Sequence, residues 1–272
     1  MIENIADPAS SAIGVFDSGV GGLSVLASIR SLLPGEDLIY VADSAHAPYG
    51  DKSEAELLRR VEQICAYLER SQVKAMVVAC NTATAATVER LRAHHRVPII
   101  AIEPGIKPAV AISRNGRIGV MATRHMLASS RYRRLLQDFT GDARIFSRAC
   151  PGLVEEIEAG HLDAPRTTAL LRRYLEPMLS ENIDTLVLGC THYPLLRPQI
   201  AGICGPDVTL LDTGEPVARQ LQARLMQAGL ARKQGSGQER FVTSGSPEAF
   251  AAQIRRLYDE DQQSVREVQR LD

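Results

Sequence analysis

One alternation, run through twice, constrains this chain more than any other feature. Apolar runs of strand length at residues 12–16, 38–42, 75–79 and 98–102 are separated by stretches of helical period at 23–33, from 53 to about 70, and on to about 94. Such alternation reads as β–α–β units, which set their strands in a mostly parallel sheet. Local punctuation agrees. Pro34-Gly35 stops the first helix, and Ser53 followed by Glu56 forms a capping box at the start of the next.

The pattern then restarts. Ile13-Gly14-Val15-Phe16 before Asp17-Ser18 is echoed 105 residues later by Ile118-Gly119-Val120-Met121 before Ala122-Thr123. Met76-Val77-Val78-Ala79-Cys80-Asn81-Thr82 is echoed 110 residues later by Leu186-Val187-Leu188-Gly189-Cys190-Thr191-His192. Near-equal offsets predict two similar halves, each with one strand that ends in a cysteine. The second half continues with a helix at 129–139, a strand at 144–146, helical stretches at 154–159 and 165–179, a strand at 185–188, a helix at 195–203 and a strand at 208–211. A helix at 216–227 leads into a Gly/Ser/Gln-rich linker at 231–239, a strand at 241–243 and a helix at 247–258. That last unit is too small to bury a core of its own, so it is expected to dock on the first half. The expected architecture is two similar parallel-sheet α/β domains, related by a pseudo-two-fold axis and facing across a central cleft. Residues 1–101 with 212–272 form one domain and 102–211 the other. Residues 1–10 read as a loose arm and the charged tail from 259 as a solvated end.

Composition narrows the function. A formal net charge of -1 offers no electrostatic case for nucleic acid. No apolar stretch approaches the roughly 20 residues of a membrane span, and the polar, acidic start is unlike a signal peptide. The cytoplasm is therefore the expected compartment. Five dispersed cysteines, Cys65, Cys80, Cys150, Cys190 and Cys204, predict free thiols rather than a disulfide framework. With no CxxC pair among them, no metal site is expected. The lysines Lys52, Lys74, Lys107 and Lys233 sit in no convincing site for a pyridoxal Schiff base.

Ligands of parallel sheets bind beyond the carboxyl ends of the strands. Cys80 and Cys190 stand there, each followed by hydrogen-bonding residues, whereas Cys65, Cys150 and Cys204 read as small hydrophobes. The loop Asp17-Ser18-Gly19-Val20-Gly21-Gly22 opens a helix and suits a carboxylate. It lacks the Lys-Ser/Thr pair of a phosphate loop and the spacing of a dinucleotide loop. Two thiols on opposite walls of one cleft suit inversion at an acidic C–H: one takes the hydrogen, the other returns a proton on the far face. The carbanion between them needs fixed donors. Asp17 beside Cys80, and His192 beside Cys190, are placed to tune the two transfers.

The segments 14–22, Pro48-Tyr49-Gly50, 79–83 and 188–195 closely resemble glutamate racemases, of the aspartate/glutamate racemase family, from about Ile13 to Phe250. The resemblance implies a cofactor-independent isomerase that supplies D-glutamate for peptidoglycan. It implies that Cys80 takes the α-proton from D-glutamate and Cys190 from L-glutamate, with Asp17 and His192 as auxiliary acid–base groups. It also implies substrate contacts from Asp17, Ser18, Pro48, Tyr49, Gly50, Asn81, Thr82, Thr123 and Thr191. The family's cleft glutamate matches Glu158 best, although Gly152 and the extra acids Glu155 and Glu156 depart from the usual pattern. The family is generally homodimeric. Some members need a peptidoglycan-precursor activator and carry a longer amino-terminal extension, which the short arm here speaks against. Three other readings compete: racemisation of aspartate or another acidic amino acid, a thiol hydrolase built on Cys190, His192 and Glu158, and a binding module for an acidic metabolite. The hydrolase leaves Cys80 idle, which separates it from a racemase.

Overall fold

The computed structural model describes residues 8–232, 235–258 and 267–271. The first half runs β1 (Ile13–Asp17), α1 (Leu23–Leu32), β2 (Leu38–Ala42), α2 (Glu54–Arg70), β3 (Ala75–Val78), α3 (Asn81–His94) and β4 (Ile99–Ala101). The second runs α4 (Ile106–Ile112), β5 (Arg117–Ala122), α5 (Arg124–Ala128), α6 (Ser130–Phe139), β6 (Arg144–Ala149), α7 (Leu153–Glu158), α8 (Pro165–Leu179), β7 (Thr185–Leu188), α9 (Arg197–Cys204) and β8 (Thr209–Leu211). Then follow α10 (Gly214–Gln227), β9 (Glu239–Thr243), α11 (Pro247–Leu257) and β10 (Val268–Arg270).

The strands form two sheets, ordered β10-β9-β2-β1-β3-β4 and β6-β5-β7-β8, and every pairing is parallel. The order β2-β1-β3-β4 recurs as β6-β5-β7-β8, so the echo in sequence is an echo in topology. Parallel strands covered on both faces need unbroken apolar runs, and β1, β2, β3 and β7 are buried at every position. Layers of helices supply the cover. Phe16, Ile64, Leu68 and Val78 fill the space between the first sheet and α2. Ile118, Val120, Ala109 and Tyr132 do the same beneath α4 and α6. A third cluster runs through both halves and takes Leu26 of α1, Leu175 of α8, Leu221 of α10 and Ile254 of α11. Each buried Val, Leu, Ile or Phe side chain contributes about 1.5–3 kcal/mol.

What places the functional groups is where the strand order reverses. From β1 the chain steps to β2 on one side and returns to β3 on the other; β5, β6 and β7 repeat the step. Such a reversal opens a crevice at the carboxyl ends of the two strands that flank it. The β1/β3 crevice is edged by Asp17 and Cys80, the β5/β7 crevice by Thr123 and Cys190.

Three features differ from the expectations. Helix α4 has no counterpart among the expectations; it opens directly after Pro104-Gly105 and carries Pro108 in its first turn, where a proline gives up no helical bond. The second half's helix at 129–139 is preceded by a separate turn of helix, α5, with Thr123 accepting from the Met126 amide at its start. The tail is not wholly a solvated end. Residues 259–266 and 272 lie outside the described residues, but β10 pairs with β9 through Val268↔Phe241 and Arg270↔Thr243, and the Leu271 amide donates to Thr243 O at 2.7 Å. Strand pairing is nonlocal, so a charged segment can take an edge that its own pattern does not advertise. Residues 1–7 of the expected arm and Lys233 also lie outside the described residues. Lys74 is far from the crevices, paired with Glu36 and donating to Ala9 O at 2.6 Å. No helix among the described residues is long and apolar enough to cross a membrane.

Candidate active site

Cys80 is the N-cap residue of α3, its sulfur accepting from the Ala83 amide at 3.5 Å. Its thiol faces Ser18 Oγ at 3.9 Å. Cys190 follows β7, with its sulfur 3.7 Å from His192 Nδ1. The two cysteines border one pocket. Ser18, Pro48, Tyr49, Gly50, Asn81 and Thr82 line it from the first half; Thr123, Thr191 and His192 line it from the second. Thr82 Oγ1 and Thr123 Oγ1 meet across it at 2.9 Å. Both amide atoms of Asn81 are buried without a partner, an arrangement a polar ligand would satisfy.

Val154, on the first turn of α7, completes the wall. The sequence carries no signal for it, since an apolar residue at helical spacing reads as core. Asp17, expected among the substrate contacts, and Glu158, expected as the cleft glutamate, are not among the residues that line this pocket. Asp17 is fully buried. It accepts from the Gly22 amide at 2.7 Å and from the Thr191 hydroxyl at 3.4 Å. Glu158 stands behind His192, Oε1 lying 2.7 Å from Nε2 and accepting from the Val20 amide at 2.9 Å. Of the two rival acids, Glu155 lines an adjoining recess with Cys150 and Arg124. Glu156 pairs with Arg166 at 3.2 Å, away from the pocket.

The glycine loop after β1 also has a use other than the one expected. Two of its amides are occupied by the chain's own carboxylates, Gly22 by Asp17 and Val20 by Glu158. A Cβ on Gly19 would overlap Glu158 Oε1, and one on Gly21 would overlap the His192 ring. The glycines let this loop close on the second half. Gly21→Ala should therefore push a buried imidazole off its partners and destabilise the fold by about 1–3 kcal/mol, the usual range for overpacking; urea unfolding would measure it, and an unchanged midpoint would refute the tight fit.

Burial sets the ionisation states. It pushes the Cys80 thiol well up, and neighbouring Asp17 adds to the effect against the Ala83 amide. Asp17 is itself raised by burial, which outweighs His192 and the Gly22 amide. For His192 burial works downwards, but Cys190 and Glu158 prevail and hold the imidazole protonated well above its ordinary range. The site thus keeps a neutral thiol on one wall and an imidazolium beside the other sulfur. Elsewhere burial pushes Cys65 and Cys150 up to about 12 and Cys204 up to about 11, which leaves them inert thiols. Among the described residues no group of His, Cys, Asp and Glu is arranged to hold a metal ion.

Residues 13–221 match the family model for Asp/Glu/Hydantoin racemase. The chain is 51% identical over 240 residues to the glutamate racemase of Pseudomonas aeruginosa, covering 88% of this chain and 91% of that one. A glutamate racemase isoform of Bacillus anthracis superposes with a TM-score of 0.84 at 38% identity, covering 90% of this chain and 93% of that one. The Escherichia coli glutamate racemase, solved with L-glutamate and the activator UDP-MurNAc-Ala, superposes with a TM-score of 0.84 at 31% identity, covering 96% and 98%.

Proposed function

Since the chain belongs to the Asp/Glu/hydantoin racemase family, we propose that it interconverts L- and D-glutamate by proton transfer at Cα between Cys80 and Cys190, with no cofactor taking part. The observation that carries this reading is that both thiols border one pocket, each at the carboxyl end of a topologically equivalent strand. In the L-to-D direction the Cys190 sulfur takes the α-hydrogen, so a C–H bond breaks and an S–H bond forms. The electron pair left on Cα then takes the proton of the Cys80 thiol from the opposite face. Cys80 rests in the form this requires. His192, protonated and 3.7 Å from the Cys190 sulfur, supplies positive charge beside the group that gives up or gains a proton.

The carbanion is the costly species, and preorganised donors aimed at the developing charge are the usual remedy. Asn81, Thr82, Thr123, Thr191 and Ser18 offer such donors to the substrate's carboxylates. Asp17 works from behind the wall on the Cys80 side, and Glu158 holds His192 in place on the other. The D-glutamate formed serves peptidoglycan synthesis. A homodimer in the cytoplasm, and a division into residues 1–101 with 212–272 and residues 102–211, complete the proposal; light scattering would read the dimer. An activator of the kind bound in the Escherichia coli enzyme would show itself as turnover that rises with added UDP-MurNAc-Ala.

Racemisation in deuterated water tests the chemistry. The enantiomer formed should carry deuterium at Cα while the remaining substrate carries little, because two separate thiols handle the two faces. Product that keeps the substrate's own hydrogen would exclude the two-thiol route. Glutamate that binds but never exchanges would reduce the protein to a binding module.

A further inference from the structure

Tyr49 lines the pocket, but its hydroxyl points away from it, donating to Asp43 Oδ2 at 2.5 Å. Asp43 is fully buried and lies at the base of the loop that carries Pro48, Tyr49 and Gly50. Its backbone amide donates to Asp17 O at 3.0 Å, which ties the loop to the end of β1. Arg60 reaches across from α2 and grips both carboxylate oxygens, Nε to Oδ2 at 2.9 Å and Nη2 to Oδ1 at 2.7 Å. His46 Nδ1 approaches Oδ1 at 3.0 Å, from a side chain that is 38% exposed. At the far end of the loop a Cβ on Gly50 would come 3.2 Å from Thr123, so the loop spans the distance from the first half's base to the second half's wall.

We propose that Arg60, which does not touch the pocket, is a positioning residue that sets glutamate affinity by holding Asp43 against the hydroxyl of Tyr49. The proposal rests on the racemase reading. A carboxylate with no solvent access needs a cation, and removal of one partner of a buried pair leaves an uncompensated charge. Arg60 supplies that cation in the two-point form that fits a carboxylate. The same environment holds the Asp43 carboxyl below its ordinary range: burial works upwards, but the bonds from Arg60, Tyr49 and Ser244 prevail. Without Arg60, Asp43 takes up a proton or water, and Tyr49 loses its charged acceptor. The wall formed by 48–50 then loosens. None of these groups reaches the reacting carbon, so binding should suffer more than proton transfer. Lysine cannot reproduce the fork.

Steady-state kinetics in both directions on Arg60→Gln, Arg60→Lys, Tyr49→Phe and the double variant Tyr49→Phe/Arg60→Gln test this. Arg60→Gln should raise KM about tenfold for both enantiomers, the size of one lost charge-assisted bond, with kcat changed far less. Arg60→Lys should fall between it and the wild type. In the Tyr49→Phe background the Arg60→Gln effect should largely vanish, since the two act along one path. An unchanged KM, a loss confined to kcat, or an equal effect in the Tyr49→Phe background would overturn the proposal. The last result would mean that Arg60 acts only through the fold. If Arg60→Gln shows no cooperative thermal transition, the same cycle is run with Arg60→Lys. If the wild type does not racemise glutamate, it is the racemase reading that falls, and the cycle is read instead as Kd for glutamate by calorimetry.

Discussion

Cys80→Ser and Cys190→Ser should each lower racemisation about a thousandfold, within the range ascribed to a positioned acid or base, while leaving opposite halves of the exchange reaction alive. A hydroxyl ionises far less readily than a thiol, so each substitution silences one face. In Cys80→Ser the Cys190 sulfur can still take the α-hydrogen of L-glutamate and return a solvent deuteron to the same face. L-glutamate should then gain deuterium without inverting, and D-glutamate should not exchange. Cys190→Ser should give the mirror result. Proton NMR at Cα reads both. Serine at position 80 adds no charge and fits the volume of a 5% exposed thiol, so unfolding is not the cause. Cys80→Ser with full racemisation would sink the two-thiol mechanism, whereas a protein that hydrolyses rather than racemises, and keeps that activity in Cys80→Ser, would favour the hydrolase reading, for which the chain Cys190–His192–Glu158 has the bonds: 3.7 Å from sulfur to Nδ1 and 2.7 Å from Nε2 to Oε1.

Asp17→Asn should cost about a hundredfold in activity and make the fold more stable. The amide oxygen can still accept from the Gly22 amide and the Thr191 hydroxyl, so the geometry survives. The proton relay beside Cys80 does not. The sign of the stability change follows from the carboxyl's raised pKa. Its charged form is disfavoured in the folded state, so the wild type bears that penalty at neutral pH and sheds it as pH falls through the folded value. The thermal midpoint of Asp17→Asn should lie above that of the wild type at pH 7, and the gap should close on acidification. Asp43, held low, runs the other way: its contribution is present above the ordinary carboxylate range and is lost as pH falls through the folded value. A midpoint for Asp17→Asn below the wild type's at neutral pH would show that burial is not what raises Asp17. The expected pair of results, a more stable and less active variant, would show activity traded against stability in the manner common at functional sites.

Much of the candidate site was legible because its residues lie at strand ends. An apolar run that stops at Cys80-Asn81-Thr82 or Cys190-Thr191-His192 announces a crevice residue, whatever the strand pairs with. Pro48-Tyr49-Gly50 and Thr123 came with the family resemblance and lie on the same pocket wall. Val154 did not announce itself, nor did the position of Glu158 behind His192. The glycines at 19 and 21 could be read as conformational freedom, but not as room for an imidazole and a carboxylate from the other half.

By itself the sequence determined the periodic part of this protein: the parallel alternation, the strands Leu38–Ala42 and Thr185–Leu188, the helix Pro165–Leu179, the capping box at Ser53, and the doubling that makes the two sheets alike. These depend on residues within a turn or a strand of one another. Tertiary structure alone decided that β10 joins the first sheet, that Val20 donates to Glu158 across 138 positions, and that Thr191 donates to Asp17 across 174. No local period encodes such meetings. They arise when two separately specified lobes close: the water that closure excludes raises Cys80 and Asp17, and the neighbours it brings up, Cys190 and Glu158, hold His192 protonated.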